Sequence, residues 1–234
     1  MSLNKKLRNA LILISGALFA QSCSEESPTI DVHHDWQQRN EVWLQQIADS
    51  AAADPEHWLK IKSYTKPQGT EGAIYDYIYV HKMPSIYDQY QSIYEGAGQD
   101  VGLLRAESAT KGTPQYSDSV FVSFRGKLLE IDDLAAVEDA PVKKVQEIFT
   151  TTYYGNYSPH TSSPVAMGIG GTVAGFSTAL QNMNEGDHWL VYIPQQLGYG
   201  GAAKDVIPAY STLQFDLILN KWYKAGSGMP SKWY

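Results

Sequence analysis

The sequence predicts an α+β fold in which a β-sheet wraps around one short helix. Apolar residues at helical spacing form a single stripe between Phe176 and Met183, which predicts a short amphipathic helix. Alternating apolar residues in segments 118–126 and 212–219 predict strands with one buried face. A helix of this length gains most of its stability from packing, so we expect the sheet to cover its apolar stripe.

Residues 1–22 have the pattern of a bacterial lipoprotein signal peptide. Three basic residues precede an apolar run at positions 10–20, which is too short for an ordinary membrane-spanning helix. Ala20-Gln21-Ser22 then precedes Cys23, as in a relaxed lipobox, and we predict that Cys23 is lipidated. An ordinary cleavage site with a leftover thiol is the alternative. Cys23 is the one cysteine of the chain, so an internal disulfide and a C-x-x-C site are excluded.

A tether at residues 23–34 and a helical segment at residues 35–68 are expected next. Asp35 is placed to cap a helix that runs from Trp36 to about Ala53, and Asp54-Pro55 ends it. We expect this helical appendage to pack on the flank of the main domain, because a helix of this length is stabilised mostly by packing.

The elements of the main domain follow from alternation and from turn residues. Strands are predicted at Ile74–Val80, which would be the first strand of the sheet, and at Asp118–Gly126, His188–Ile193 and Thr212–Leu219. Asn184-Glu185-Gly186-Asp187 is expected to end the short helix, and Pro194 to end the strand that follows it. Residues 224–234 are rich in Gly, Ser, Pro and Lys and predict a flexible tail.

Composition excludes several classes of function. The chain has 18 Lys and Arg against 25 Asp and Glu, a net charge of −7, and loss of the signal peptide would make it more negative. An acidic protein of this kind does not attract nucleic acid or an anionic membrane, so we expect a covalent membrane anchor and no nucleic-acid partner. His33-His34-Asp35 lies in the predicted tether, where we expect no metal site. No serine-triad, phosphate-loop or dinucleotide motif occurs in the sequence.

Several motifs occur in a fixed order in the C-terminal half of the chain. They are G-F-S-T-A-L-Q-N-M at 175–183, L-G-Y-G at 197–200, I-P at 207–208 and T-L-Q-F-D-L-I-L at 212–219. With the D-S-V-F-V-S-F-R-G strand at 118–126, they resemble the FKBP family, the macrolide-binding peptidyl-prolyl isomerases. The resemblance implies an antiparallel half-barrel around the short helix in residues 69–223, with insertions near 83–111 and 131–146.

The resemblance also implies an activity, which is rotation about the peptide bond before proline in exported proteins. The barrier to this rotation is about 18–20 kcal/mol. No covalent bond is made or broken, so neither a nucleophile nor a metal is required, and we expect no cofactor. A dry aromatic site favours the twisted amide, because water stabilises the more dipolar planar form. The expected partners are proline-containing segments of exported proteins.

Carried over position by position, the resemblance assigns the site to nine residues. The catalytic residues would be Phe124, Phe149, Tyr199 and Phe215, and the substrate-binding residues Thr150, Val165, Val173, Phe176 and Ile207. Tyr199 is expected to hold a substrate carbonyl through its hydroxyl, and Val173 a ligand carbonyl through its backbone N–H. Each phenylalanine taken singly is better explained as an ordinary core residue, and the collective match favours the site.

Phe124 and Phe176 replace a tyrosine and a tryptophan of the family pattern but keep an aromatic ring, whereas two other departures bear on activity. Thr150 stands where an aspartate is usual, and Val165 replaces an aromatic wall residue. A neutral hydroxyl accepts a weaker hydrogen bond than a carboxylate, so we expect weak macrolide binding and low isomerase activity. The departures leave open a catalytically weak FKBP-fold chaperone or binding lipoprotein. The 16 tyrosines and 6 tryptophans leave open an envelope glycan-binding lipoprotein.

The predicted location is the bacterial cell envelope. Acyl chains on Cys23 would hold the protein at a membrane, on the periplasmic or the surface face of the outer membrane. Ser24-Glu25-Glu26 resembles the serine-acidic stretch of Bacteroidetes-like surface lipoproteins.

Overall fold

The computed structural model describes residues 31–132 and 143–233. The helices are α1 (Trp36–Ala53), α2 (Ile86–Gln89), α3 (Gln91–Gly96), α4 (Val101–Lys111) and α5 (Ala174–Leu180). The strands are β1 (Trp58–Lys62), β2 (Tyr77–Met83), β3 (Ser119–Lys127), β4 (Ile131–Asp132), β5 (Lys144–Val145), β6 (Ile148–Thr151), β7 (Val165–Gly168), β8 (His188–Ile193) and β9 (Leu213–Tyr223). The predicted signal peptide and Cys23 lie outside the described residues.

Seven strands form one antiparallel sheet in the order β1-β2-β8-β9-β3-β6, with β7 also paired to β3. The ladder between β3 and β9 runs from Ser119↔Tyr223 to Lys127↔Gln214, with one irregularity after Phe121. β4 and β5 pair in a separate hairpin. The predicted α+β class with an antiparallel sheet is therefore confirmed.

The sheet covers the short helix α5 on one face. The buried cluster on this face combines the helix residues Phe176, Ala179, Leu180 and Met183 with the β9 residues Leu213, Phe215, Leu217 and Leu219. Helix and sheet approach closely at Gly175, where a Cβ would lie 2.3 Å from the Cγ2 of Ile193. The helix ends at Leu180, earlier than predicted, and Met183 is buried in the turn that follows.

The predicted strand at Ile74–Val80 forms only in its second half, as part of β2, and it is not the first strand of the sheet. Ile74–Asp76 forms a 3₁₀ turn, in which the Asp76 carboxylate accepts a hydrogen bond from the Ala73 N–H at 3.0 Å. The first strand is β1, which lies in the segment predicted as a helical appendage and pairs with β2. Four of its five residues are partly buried, so neither face carries a clear apolar signal in the sequence.

Helix α1 has the predicted bounds, but Asp35 does not cap it. The Asp35 backbone is left-handed, with φ of 50°, and its side chain makes no capping hydrogen bond. The helix is held instead by two bonds to the segment before β9. Trp36 Nε1 donates to Ser211 Oγ at 2.8 Å, and Asn40 Oδ1 accepts from the Thr212 N–H at 2.8 Å. These contacts fix α1 against the main domain.

The segment 83–111, predicted as an insertion, contains α2, α3 and α4. These helices cover the other face of the sheet in a second buried cluster, which includes Ile86, Tyr87 and Val101 together with Ile218 of β9. Part of the other predicted insertion, residues 133–142, lies outside the described residues. No described helix is long and apolar enough to cross a membrane.

The C-terminal residues, predicted to be a flexible tail, contact the sheet in the structure. The Ala225 N–H donates to Asp118 Oδ1 at 2.9 Å. The Trp233 ring meets the Phe121 ring edge-on, with 5.3 Å between centroids. These contacts close one side of a cavity described below.

Candidate functional site

A cavity of about 580 Å³ opens on the side of the sheet that carries α5. Eight of the nine residues predicted from the sequence line it, namely Phe124, Phe149, Thr150, Val173, Phe176, Tyr199, Ile207 and Phe215. They come from β3, β6, the start of α5, the loop between β8 and β9, and β9 itself. The volume lies in the range of about 300–1,000 Å³ that is typical of small-ligand sites.

Four phenylalanines form one edge-to-face cluster in this cavity. The Phe215 ring is at its centre, with centroids 4.9 Å from Phe176, 5.4 Å from Phe149 and 6.1 Å from Phe124. Phe124 and Phe176 also meet each other at 5.7 Å. Because four phenylalanine rings line this site, with the other three packed against Phe215, we call it the phenylalanine cavity. Such edge-to-face pairs fix ring orientation and contribute about 0.5–1.5 kcal/mol each beyond burial.

Gly126 allows Phe149 to reach the cavity. β3 pairs with β6 at Gly126↔Thr150. A Cβ on Gly126 would lie 2.5 Å from Phe149 Cζ and 2.8 Å from Thr150 Cγ2. The close approach of the two strands, and thus the position of the Phe149 ring, requires glycine at this position.

Several polar groups of the cavity have no partner among the described residues, including the two that the resemblance assigns to carbonyl binding. The backbone N–H of Val173, just before α5, donates to no acceptor there. The hydroxyl of Tyr199, a side chain 39% exposed at the rim, likewise forms no hydrogen bond within the described chain. The Gly200 backbone after it has φ of +65°, a conformation that favours glycine and turns the loop back toward β9. Both groups are therefore available to a ligand carbonyl.

The loop at residues 204–207 places a charged pair at the cavity, and this pair was not predicted from the sequence. Lys204 and Ile207 exchange backbone hydrogen bonds of 2.9 and 2.8 Å, which hold the loop as a small bridge. Lys204 Nζ lies 3.2 Å from Asp205 Oδ2, and both side chains are mostly exposed. They line the cavity mouth with Val206. Their position depends on the loop bridge, for which the sequence gives no periodic signal.

Thr150 lies in the cavity wall, whereas Val165 does not line the cavity. The Thr150 hydroxyl makes no hydrogen bond to the described residues, so the wall is neutral and polar at this point. Val165 is 37% exposed on β7. Met167, two residues further along the same strand, lines the cavity and was missed from the sequence. Val165 and Met167 are two residues apart, so both side chains lie on the same face of β7. The alternation alone therefore could not show which of them lines the cavity.

A titratable cluster lies outside the phenylalanine cavity. His188 Nε2 is 2.5 Å from Asp216 Oδ1, and the Tyr153 hydroxyl donates to Asp216 Oδ2 at 2.8 Å. Burial raises the pKa of Asp216, but the hydrogen bonds from His188 and Tyr153 outweigh it and lower that pKa below its ordinary value. Within the described ranges, no cluster of His, Cys, Asp and Glu side chains could hold a metal ion.

Comparison with protein families decides which fold family this geometry represents. Residues 110–220 match the family described as FKBP-type peptidyl-prolyl cis-trans isomerase. Residues 110–220 belong to the FKBP family. The matched FKBP domain contains every residue of the phenylalanine cavity. Helices α2 and α3, most of α4 and the N-terminal segment lie before the match.

Two curated relatives show the same family likeness. The chain is 39% identical over 61 residues to the macrophage infectivity potentiator of Trypanosoma cruzi, a match to 26% of this chain and 31% of that protein. It is 29% identical over 118 residues to the FKBP-type peptidyl-prolyl cis-trans isomerase FkpA of Escherichia coli K12, a match to 50% of this chain and 36% of that protein. The chain thus spans about a third of the length of these relatives.

Among solved structures, FkpA from Escherichia coli aligns with a TM-score of 0.47 at 20% identity, over 82% of this chain and 63% of that chain. A peptidyl-prolyl cis-trans isomerase from Pseudomonas syringae pv. tomato aligns with a TM-score of 0.39 at 19% identity, over 79% of this chain and 96% of that chain.

Proposed function

We propose that this protein is a peptidyl-prolyl cis-trans isomerase that assists the folding of exported proteins. The observation that carries the proposal is the phenylalanine cavity, in which four interlocked rings meet two unpartnered hydrogen-bond donors. Membership of the FKBP family supports the same activity. The cofactor-free reaction needs nothing beyond these groups, because no bond is made or broken.

The mechanism follows from what each group offers a bound prolyl amide. The aromatic walls exclude water, which removes solvent stabilisation from the planar amide and favours the twisted form. The Val173 N–H and the Tyr199 hydroxyl hold carbonyls that flank the rotating bond, so that only one side of the peptide turns. Phe215 contacts the other three rings and keeps the cavity in shape.

A refolding experiment tests the proposed function. The client is a protein whose slow refolding phase is prolyl isomerisation, which takes tens to hundreds of seconds without a catalyst. Catalytic amounts of residues 24–234 should accelerate that phase. Phe215→Leu, which retains an apolar side chain but removes the central ring, should accelerate it much less while remaining folded by circular dichroism. Equal acceleration by both proteins would show that the reaction occurs elsewhere.

A second candidate, a chaperone that holds proline-containing segments without efficient turnover, is favoured by two observations. Thr150 gives the cavity a neutral wall, and Val206, an apolar side chain that lines the cavity, is 67% exposed. Suppression of aggregation of a client that has no prolyl-limited phase, with no catalysis of a prolyl-limited phase, would favour this candidate.

Thr150 also sets the expected affinity for macrolides. A carboxylate accepts a hydrogen bond roughly twice as strong as a neutral acceptor does. We therefore expect weak macrolide binding by the wild type and tighter binding by Thr150→Asp, measured by calorimetric titration. Thr150→Asn, which adds a neutral acceptor of the same shape, is the matched control. Tight binding by the wild type, or equal binding by the Asp and Asn variants, would contradict the charge argument.

We further propose that acyl chains on Cys23 anchor the protein in the bacterial envelope. The support is the sequence alone, since the apolar run at 10–20 and the lipobox-like Ala20-Gln21-Ser22 precede that cysteine. A polar tether would leave the FKBP domain free to meet exported chains at the membrane surface.

A further inference from the structure

A second cavity lies on the face of the sheet opposite the phenylalanine cavity. It has a volume of about 500 Å³ and is bounded by α2, α3 and α4, the end of β9 and the C-terminal residues. Phe121 of β3 and Asn220 of β9 line it, whereas Phe124 and Phe215 of the same strands line the phenylalanine cavity. The two cavities share no lining residue. We call this site the tyrosine cavity, after Tyr87, Tyr94 and Tyr157 in its wall.

These three tyrosines present hydroxyl donors that have no acceptor in the described part of the chain. The Tyr87 and Tyr94 hydroxyls form no hydrogen bond there. The Tyr157 hydroxyl accepts from Asn220 Nδ2 at 2.9 Å, which leaves its own proton to donate. Tyr87 and Tyr157 are each only 6% exposed. Neither the Tyr87 nor the Tyr94 hydroxyl oxygen is fully buried, so both reach the open space of the cavity and can donate to a ligand that supplies an acceptor.

The protonation state of the three phenols suits a donor role. Burial raises the pKa of Tyr157 to about 12, and burial raises the pKa of Tyr87 and Tyr94 further. All three groups therefore remain neutral O–H donors at physiological pH.

The lysines in the lining of the tyrosine cavity favour an anion, although Glu185, Glu107 and Asp187 lie close enough to the Tyr87 phenol to contribute to its raised pKa. Lys221 and Lys232 line it, and neither forms an ion pair with a described residue. No Asp or Glu belongs to the lining, although acidic residues outnumber basic ones in the chain. Unpaired lysines in a concave site of this kind raise the local concentration of anionic ligands.

The apolar part of the lining indicates that the ligand also carries an apolar body. The Phe121 ring meets the rings of Tyr223 and Trp233 edge-on, with centroids 6.0 and 5.3 Å apart. Pro159 and Pro230 extend this surface. We propose that the tyrosine cavity binds a small organic anion, a carboxylate carried on an aromatic or aliphatic body. The tyrosine hydroxyls and the lysines hold the carboxylate, and the aromatic rings hold the body.

The experiment uses two probes that differ in one group, 4-phenylbutyrate and the neutral 4-phenyl-1-butanol. Each is titrated into ¹⁵N-labelled residues 24–234, whose described part from Val32 onward is one compact unit. The carboxylate should give saturable shifts at the amides of Tyr157 and Asn220, and the alcohol should bind at least about tenfold more weakly, because a hydrogen bond to a charged group is lost.

Variants separate this site from other parts of the protein. Lys221→Gln and Tyr87→Phe should each weaken carboxylate binding by about tenfold, the loss expected for one hydrogen bond to a charged group. Lys82→Gln removes an exposed lysine on β2, away from the cavity lining, and should bind as the wild type does. Lys221→Gln should also leave proline-peptide isomerisation unchanged, which separates this proposal from the proposed function.

Several results would overturn the proposal. They are equal affinities for the acid and the alcohol, shifts centred on Val173 and Phe215, wild-type affinity in both cavity variants, and the absence of saturable shifts with either probe.

Discussion

The substitution Gly126→Ala tests whether the phenylalanine cavity is built by the close approach of β3 and β6. A Cβ at this position would lie 2.5 Å from Phe149 Cζ, whereas ordinary contacts begin near 3.4 Å. The ring must therefore retreat by about 0.9 Å, the difference between these distances. The Cγ2 of Thr150, at 2.8 Å, blocks relaxation along the other direction.

The displacement predicts a loss of activity that exceeds the loss of stability. Overpacking of this kind costs about 1–3 kcal/mol of unfolding free energy. At about 2–4 °C of Tm per kcal/mol for a domain of this size, Tm should fall by roughly 2–12 °C. A misplacement near 1 Å in a binding site reduces rates by up to about 100-fold. We expect kcat/KM for a proline peptide to fall by about 10- to 100-fold at a temperature where the variant is fully folded.

The matched control is Gly96→Ala at the end of α3, where an added Cβ meets no atom within 4 Å. It should retain the activity of the parent protein. Calorimetry and peptide kinetics are measured on the same preparations. A Gly126→Ala variant with parental Tm and parental kcat/KM would refute the argument, because the ring would then not occupy the place the structure gives it.

Three further predictions concern single groups. Tyr199→Phe removes one hydroxyl and should lower kcat/KM by the equivalent of about 0.5–1.5 kcal/mol with unchanged Tm, and parental kcat/KM would exclude its hydroxyl from the site. The folded-state pKa of Asp216 is lowered, so its contribution to stability is present above the unfolded pKa of about 3.9 and is lost as pH falls through the folded value. Asp216→Asn should therefore weaken the dependence of the unfolding free energy on pH, measured by urea melts below about pH 4, and an unchanged dependence would contradict this. Cys23→Ala should move the protein from the detergent phase to the soluble or precursor pool, and equal partitioning would contradict lipidation.

Most of the cavity could be predicted from the sequence because the motifs that resemble the FKBP family assign its residues position by position. Phe124 and Phe215 follow from alternation in two long strands, and Phe176 from the helical stripe. Tyr199 stands out because glycines flank it. Alternation and helical spacing depend only on local structure, so the residues predicted from these patterns lie where the structure places them.

The parts that could not be predicted depend on tertiary contacts. Lys204 and Asp205 reach the cavity mouth through a backbone bridge in a loop, and Met167 replaces Val165 on a strand where alternation permits either. Asp35 has a residue type that favours a cap, but Trp36 is anchored by a distant serine instead, so tertiary bonding overrides the local preference.

The tyrosine cavity illustrates the same limit. Its walls come from the 83–111 helices, β9 and the C-terminal residues, which are far apart in the chain. From sequence the C-terminal stretch resembles a flexible tail, and only its contact with Phe121 shows that it encloses a site.

The central claim is that the phenylalanine cavity binds a prolyl amide and accelerates its rotation. NMR exchange spectroscopy of a proline peptide with substoichiometric ¹⁵N-labelled protein measures both in one sample. The account predicts cis–trans exchange well above the uncatalysed rate of tens to hundreds of seconds per event, with peptide-induced shifts at the Val173 amide. Exchange at the uncatalysed rate, or acceleration without any shift at Val173, would contradict it.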